Sequence, residues 1–157
     1  HEGKKNGVCK MWHEDGHLWY EKTFLNDIEI KVINVDDITI IDDKAYYKKD
    51  MSIVNATIVS YYDDGQLEYE VTALNGMEHG ISKYYYEHGG LEEEIKYENG
   101  QANGISKFYY ENGGLEEEVE YENGKRHGIS KFYNKEGGLE EEVKYENDAA
   151  INNINSY

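Results

Sequence analysis

Proline is absent from the 157 residues, and cysteine occurs once, at Cys9. Glycine, with 16 copies, is therefore the residue that punctuates the chain. A single cysteine excludes an internal disulfide framework and a cysteine-based zinc site. No stretch approaches the run of about 20 apolar residues that a membrane-crossing helix needs. Cations are scarce: 16 Lys and Arg stand against 33 Asp and Glu, a net charge of −17. A polyanion of this kind is repelled by nucleic acid and by anionic membrane surfaces. Neither phosphate-cradling pattern, G-x-x-x-x-G-K-[ST] nor G-x-G-x-x-G, occurs, so the fixed parts that phosphoryl transfer requires are missing. Apolar residues make up 38%, enough for a thin core, and Tyr supplies much of it with 16 copies against three Phe and two Trp. The chain opens on His1-Glu2-Gly3 without Met, the pattern of a fragment, a processed product or a tagged chain.

What the sequence has in abundance is repetition. Asn75-Gly76, Asn99-Gly100 and Asn123-Gly124 are spaced by 24 residues, as are Gly80, Gly104 and Gly128, the Gly-Gly pairs at 89/90, 113/114 and 137/138, and Leu91, Leu115 and Leu139. Gly65 and Leu67 keep the step backwards, and Gly7, Gly16, Leu18, Glu21 and Phe24 match at an offset of 73. The reading is one repeat domain over 1–157, with units 2–25, 26–50 (degenerate, one residue inserted), 51–74, 75–98, 99–122 and 123–146, and a tail 147–157.

Each good unit reads as a β-hairpin. Ile105 to Tyr110 alternates in period two and is rich in aromatic and β-branched residues. Glu111-Asn112-Gly113-Gly114 supplies a hairpin turn of the Asn-Gly kind, while other units place His88 or Glu136 in the Asn112 slot, which leaves the turn type there open. Leu115 to Tyr121 returns, and Asn123-Gly124 leads into the next unit. A two-residue turn at Asn112-Gly113 would pair Tyr110 with Leu115, Phe108 with Glu117, Ser106 with Val119, Lys107 with Glu118, and Tyr109 with Glu116. The same register sets Lys10 opposite Glu21, Lys83 opposite Glu94 and Lys131 opposite Glu142, and opposite charges across strands are favourable by roughly 0.2–1 kcal/mol.

The alternation sorts two faces. Phe108, Tyr110, Leu115, Val119 and Tyr121 form the core face. Ile105, Lys107, Tyr109, Glu116, Glu118 and Glu120 form a wet one, covered in part by Lys and Glu stems. One unit cannot fold alone: ordering each residue costs roughly 1–2 kcal/mol, and four buried apolar side chains return only about 1.5–3 kcal/mol apiece. The expected fold is all-β, an elongated single antiparallel meander with nearest-neighbour energetics. Twelve strands at about 4.8 Å would give a ladder roughly 55 Å long.

The run Tyr109-Tyr110-Glu111-Asn112-Gly113-Gly114-Leu115, then Glu118, then Tyr121-Glu122-Asn123-Gly124-Lys125-Arg126-His127-Gly128, resembles the bacterial second type of MORN repeat. The resemblance covers units 1 and 3–6 and is strongest over 75–146. It implies β-hairpin repeats in interaction or scaffold roles, and some bacterial members are antitoxin components. Eukaryotic MORN repeats precede the kinase domain of plant phosphatidylinositol-phosphate kinases and occur in membrane-junction proteins. The resemblance thus also admits a lipid-associated module, one that would carry a kinase label without a kinase domain.

Candidate chemistry is sparse. His13-Glu14-Asp15-Gly16-His17 spells the H-E-x-x-H of zinc proteases, but that motif needs a helix and here it falls on a hairpin tip. The Glu runs at 92–94, 116–118 and 140–142 alternate between faces on a strand, so they do not converge on a Ca²⁺ ion and read as a solvated face. His79 and His127, with Asn103 between them, suit a turn with positive φ or a side-chain bond to backbone. Cys9 lies on a strand in the slot of Ser82 and reads as packing.

The remaining candidate is an aromatic row on the acidic face: Trp12, Tyr61, Tyr85, Tyr109 and Tyr133 occupy one slot in five units. Rigid rings amid carboxylates suit a basic protein or peptide. The sequence therefore predicts a protein-binding module without enzymatic activity, cofactor or metal. Its partner would be a basic protein, with no nucleic acid, a membrane only through bridging divalent cations, and self-association through sheet edges open. No segment indicates a cellular location.

Overall fold

The computed structural model describes residues 7–12, 18–25 and 28–156. Seventeen strands and one 3₁₀ turn are placed among them. The strands are β1 (Gly7–Trp12), β2 (Leu18–Leu25), β3 (Ile28–Asn34), β4 (Ile38–Ile41), β5 (Lys44–Tyr47), β6 (Ala56–Tyr61), β7 (Leu67–Leu74), β8 (Met77–Glu78), β9 (Gly80–Tyr85), β10 (Leu91–Glu98), β11 (Gln101–Ala102), β12 (Gly104–Tyr109), β13 (Leu115–Glu122), β14 (Lys125–Arg126), β15 (Gly128–Tyr133), β16 (Leu139–Glu146) and β17 (Ala149–Ser156). Fifteen form one elongated sheet in the order β1-β2-β3-β6-β7-β9-β10-β12-β13-β15-β16-β17, with β8, β11 and β14 beside β7, β10 and β13. β4 and β5 pair as a separate hairpin.

The charge pairs set the register as the alternation requires. Lys10 faces Glu21, Lys83 faces Glu94, Lys107 faces Glu118, and Lys131 faces Glu142. At the hairpin tips the structure differs from the expected two-residue turn. Gly113 N–H donates to Tyr110 O at 2.8 Å, and Tyr110 N–H donates to Gly114 O at 2.9 Å. Of Asn112 and Gly113 only the glycine has positive φ, +82°. This is a type I turn followed by a left-handed glycine, and it leaves one extra residue in the returning strand. Tyr109 therefore pairs with Leu115 rather than Glu116, and Leu115 moves from the core face to the wet one. The same bulge recurs at Trp12–Leu18, Tyr61–Leu67, Tyr85–Leu91 and Tyr133–Leu139.

The turn with two positive φ angles lies between units instead, at Asn75-Gly76 (+54°, +77°), Asn99-Gly100 (+53°, +80°) and Asn123-Gly124 (+52°, +79°). These turns stack in a column. Gly76 N–H donates to Val54 O, Gly100 to Glu78 O, Gly124 to Ala102 O and Asp148 to Arg126 O, at 2.8–3.0 Å. The tail is part of the sheet: β17 pairs with β16 and continues the 24-residue step as a further first strand.

Over 28–55 the meander is interrupted. β3 pairs antiparallel with β2 but parallel with β6, through Lys31–Ala56 to Asn34–Val59. A parallel neighbour needs a crossover connection, and residues 35–55 supply it through the 3₁₀ turn Val35–Asp37 and the β4–β5 hairpin. Ala45 N–H bonds Gly76 O at 2.8 Å and Val54 N–H bonds Ala45 O at 3.0 Å, which fastens the crossover to the turn column. The buried apolar cluster forms here, from Ile38, Ala45, Val54, Ala56, Ile58 and Ala73.

Candidate interaction surface

The wet face carries three rows that run across the strands. The first is apolar and open: Ile81, Ile105 and Ile129 are 51%, 54% and 43% exposed, one per unit. The second is a ladder of alternating charge. Each Lys faces a Glu on both sides, giving Glu70, Lys83, Glu94, Lys107, Glu118, Lys131 and Glu142 in register. Lys83 Nζ lies 3.6 Å from Glu70 Oε1. Sequence reasoning found only the pair within each hairpin, because the neighbouring unit's register depends on the inter-unit turn. The ladder explains how like charges 24 residues apart coexist, although each exposed pair is worth only about 0–1 kcal/mol.

The third row alternates Tyr and Leu. Tyr61, Tyr85, Tyr109 and Tyr133 stand at equivalent positions opposite Leu67, Leu91, Leu115 and Leu139. Trp12 ends β1 opposite Leu18, in the same slot. Tyr61 is exposed and the other three tyrosines are half-buried. Tyr85 OH donates to Glu70 Oε1 at 3.2 Å, and burial, with the Glu70 charge second, raises that phenol.

The tyrosine after each of these does different work. Tyr62 OH donates to Tyr85 O, Tyr86 OH to Tyr109 O and Tyr110 OH to Tyr133 O, each reaching 23 residues ahead. Sequence reasoning placed Tyr110 in the core, whereas the structure makes it a strut between units. The signal was available in the Tyr-Tyr doublets 61/62, 85/86 and 109/110 and in their end at Tyr133-Asn134. Asn134 turns inward on its own loop, accepting from Gly138 N–H at 2.8 Å.

The opposite, inner face has small residues under tall ones. Ser82, Ser106 and Ser130 are 0%, 0% and 1% exposed, and their hydroxyls have no hydrogen-bond partner. They pair with Ile95, Val119 and Val143. Beside them rings and carboxylates alternate strand by strand as Tyr84, Glu93, Phe108, Glu117, Phe132 and Glu141. Burial raises the Glu78, Glu93 and Glu117 carboxyls, with Arg126 partly opposing the rise at Glu117. Burial also raises the Tyr84 phenol and pushes Tyr97 up to about 12. Where the β4–β5 hairpin overhangs this face, an open groove of about 620 Å³ runs between Ile38, Ala45, Ile58, Val71, Glu78 and Tyr84.

The other sequence candidates are simply placed. His13–His17 lies outside the described residues, and Cys9 faces Lys22 in the β1–β2 pair. His79 and His127 do not take positive φ, since Gly80 and Gly128 after them do. Their backbone N–H groups bond Thr72 O and Glu120 O instead. His127 Nε2 reaches Glu122 Oε2 at 3.5 Å, as Asn103 Nδ2 reaches Glu98 Oε2 at 2.8 Å. Among the described residues no group of three or more His, Cys, Asp or Glu could hold a metal ion. No helix among them is long and apolar enough to cross a membrane.

The MORN repeat variant profile matches residues 5–26, 55–75, 78–99, 102–123 and 126–147, passing over the crossover segment between. No curated protein matches the chain. Among solved structures, that of accessory secretory protein 1, 2 and 3 in Streptococcus pneumoniae is similar over 74% of this chain and 20% of that one, at 14% identity and a TM-score of 0.37. The chain thus spans about a fifth of the length of that structure's chain. With five profile matches covering most of its length, the chain belongs to the MORN repeat variant family.

Proposed function

We propose that this chain is a non-catalytic MORN-repeat module that binds a protein partner of basic character. Trp12, Tyr61, Tyr85, Tyr109 and Tyr133 are its anchoring slots. The observation that supports the reading is the juxtaposition of three rows on one face: open isoleucines, a charge ladder, and tyrosines at equivalent positions of successive units. Tyr presents a large rigid contact area at low entropic cost, and a net charge of −17 steers a cationic partner toward it. Neutralisation of a small basic protein, in the manner of an antitoxin, is the finer form of this reading.

The test is capture of a partner from the source cell at low salt, compared with the Tyr85→Ala, Tyr109→Ala, Tyr133→Ala triple variant. The expected result is capture of a basic protein, released by salt, and loss of at least about tenfold in affinity in the variant. Retention by the folded variant at wild-type strength would refute the anchoring role. Binding to anionic vesicles without any captured protein would replace this reading with a lipid-associated one.

A further inference from the structure

The inner face holds one filled cation slot and one unfilled slot of the same construction. Positions 78, 102 and 126 are equivalent on the short strands β8, β11 and β14, and they carry Glu, Ala and Arg. Arg126 is the only arginine in the chain. Paired with Tyr121, it extends over the inner face. Its Nη2 lies 3.9 Å from Glu117 Oε2 and its Cζ lies 5.5 Å from the Tyr145 ring centroid. The filled slot is therefore Glu117, Tyr121 and Tyr145.

One unit earlier the same walls are Glu93, Tyr97 and Tyr121, and Ala102 pairs with Tyr97 where Arg126 pairs with Tyr121. A methyl group carries no charge for the carboxylate and no hydrogen-bond donor for the phenols. Ser106, which pairs with Val119, is fully buried with an unpartnered hydroxyl, but so is Ser130 one unit along, so the serines do not distinguish the two slots. The electrostatics mark the same vacancy. Burial and then Glu92 raise Glu93, and no cation offsets them, while at Glu117 Arg126 does. Glu78 adds its charge to that of Glu93 at Tyr97.

We propose that the Glu93–Tyr97–Tyr121 slot receives an arginine side chain from a basic protein partner, seated as Arg126 is seated one unit along. A second copy of the chain cannot supply it, because its one arginine is already engaged in its own slot. Lysine fits less well: it has no planar fork to meet a carboxylate while stacking on a ring. The inference uses the face opposite the Tyr61–Tyr133 row, so each can fail without the other.

The test titrates the full chain with hexa-arginine and with hexalysine at matched ionic strength, following amide and ring resonances by NMR. Hexa-arginine is expected to move Tyr97, Ala102 and Tyr121 and to bind about tenfold tighter than hexalysine. Ala102→Arg fills the slot from within and should abolish that preference. Glu93→Gln should abolish it as well, without adding bulk, and Glu94→Gln on the opposite face should keep it. Equal binding of the two peptides, or a preference that survives both Ala102→Arg and Glu93→Gln, would assign the attraction to net charge and overturn the slot. Shifts confined to Tyr85, Tyr109 and Tyr133 would overturn it too, while leaving the proposed tyrosine surface standing.

Discussion

Residues 56–146 and residues 28–55 solve the same problem in opposite ways. In the regular array each strand is held by its neighbours through ladder bonds, stacked turns and tyrosine struts, and the sheet is one layer thick. Its most buried side chains include three serines. In the divergent segment the chain leaves the sheet, crosses over, and folds a hairpin onto the inner face. That hairpin creates the two-layer apolar cluster around Val54 and Ala45. The array extends without a conventional interior, and the segment that breaks the period builds one at its end. Divergence at 28–55 is thus a structural element, in keeping with the nearest-neighbour logic of repeats, in which a unit lacking a regular partner needs a different stabiliser.

The sharpest way to break the comparison is at the residue joining the two regions. Gly76 has φ +77°, and a Cβ there would lie 3.0 Å from Ala45 O and 3.2 Å from Lys44 Cβ. Gly113 has a similar φ of +82° with nothing within 4 Å. Gly113→Val therefore costs backbone strain alone, about 1–3 kcal/mol. Gly76→Val adds a collision with backbone that holds the Ala45–Gly76 hydrogen bond, and should cost clearly more, about 3 kcal/mol or above. Urea unfolding of both variants checks this. Equal losses would show that the crossover hairpin is not seated on the turn column.

A second pair of substitutions compares the interiors. Val54 and Val119 are both 0% exposed. Val54 lies between two layers, so Val54→Ala leaves a void that the surroundings cannot fill and should cost about 2–3 kcal/mol. Val119 lies in the single-layer array opposite Ser106, where neighbouring side chains can settle inward, so Val119→Ala should cost about 1 kcal/mol. Chemical denaturation separates these values, and a larger loss at Val119 would reverse the assignment of where the interior is.

Much of this was legible in the sequence, for identifiable reasons. The period and the Lys–Glu register could be read because a period of two leaves one alignment that satisfies every charge pair. The tip turn was misread because Asn112-Gly113 and Asn123-Gly124 share a dipeptide. The distinguishing signal is substitution: His88 and Glu136 replace Asn112, whereas Asn75, Asn99, Asn123 and Asn147 all keep the slot that needs positive φ. The bulge followed from the turn, so Leu115 was put on the wrong face. The tail escaped notice because β17 keeps the step but lacks the Lys and Phe that mark a first strand. The crossover showed in the sequence only as a degenerate unit at 26–50, since Ile28–Ile33 reads as a strand whichever neighbour it takes. The slot at Ala102 was legible in principle, as a lone arginine set against alanine and glutamate at the same place in the period.

The smallest expected effect distinguishes the regions by proton linkage. In the array Glu93 and Glu117, and Glu78 at its edge, all have carboxyls raised above the ordinary 4.5 by burial. A carboxyl whose folded-state pKa exceeds its unfolded value contributes stability at low pH and loses it as pH rises through the folded value. Acidification from about pH 7 toward about pH 5 should therefore firm the array. In the crossover segment Asp50 runs the other way. Hydrogen bonds from the Ser52 hydroxyl and backbone N–H hold its carboxyl below the ordinary 3.8, so its contribution is kept above that value and lost only as pH falls through the lower one. Amide hydrogen exchange, corrected for the intrinsic pH dependence, should show β10 and β13 gaining protection between neutral pH and about 5 while Tyr47–Val54 stays unchanged. Glu93→Gln should remove part of the gain and raise protection at pH 7, because the amide carries no charge to desolvate. Glu117→Gln should do the reverse at pH 7, because it leaves Arg126 without its carboxylate. Equal responses of the two glutamine variants would mean that Arg126 does not distinguish one slot from the next.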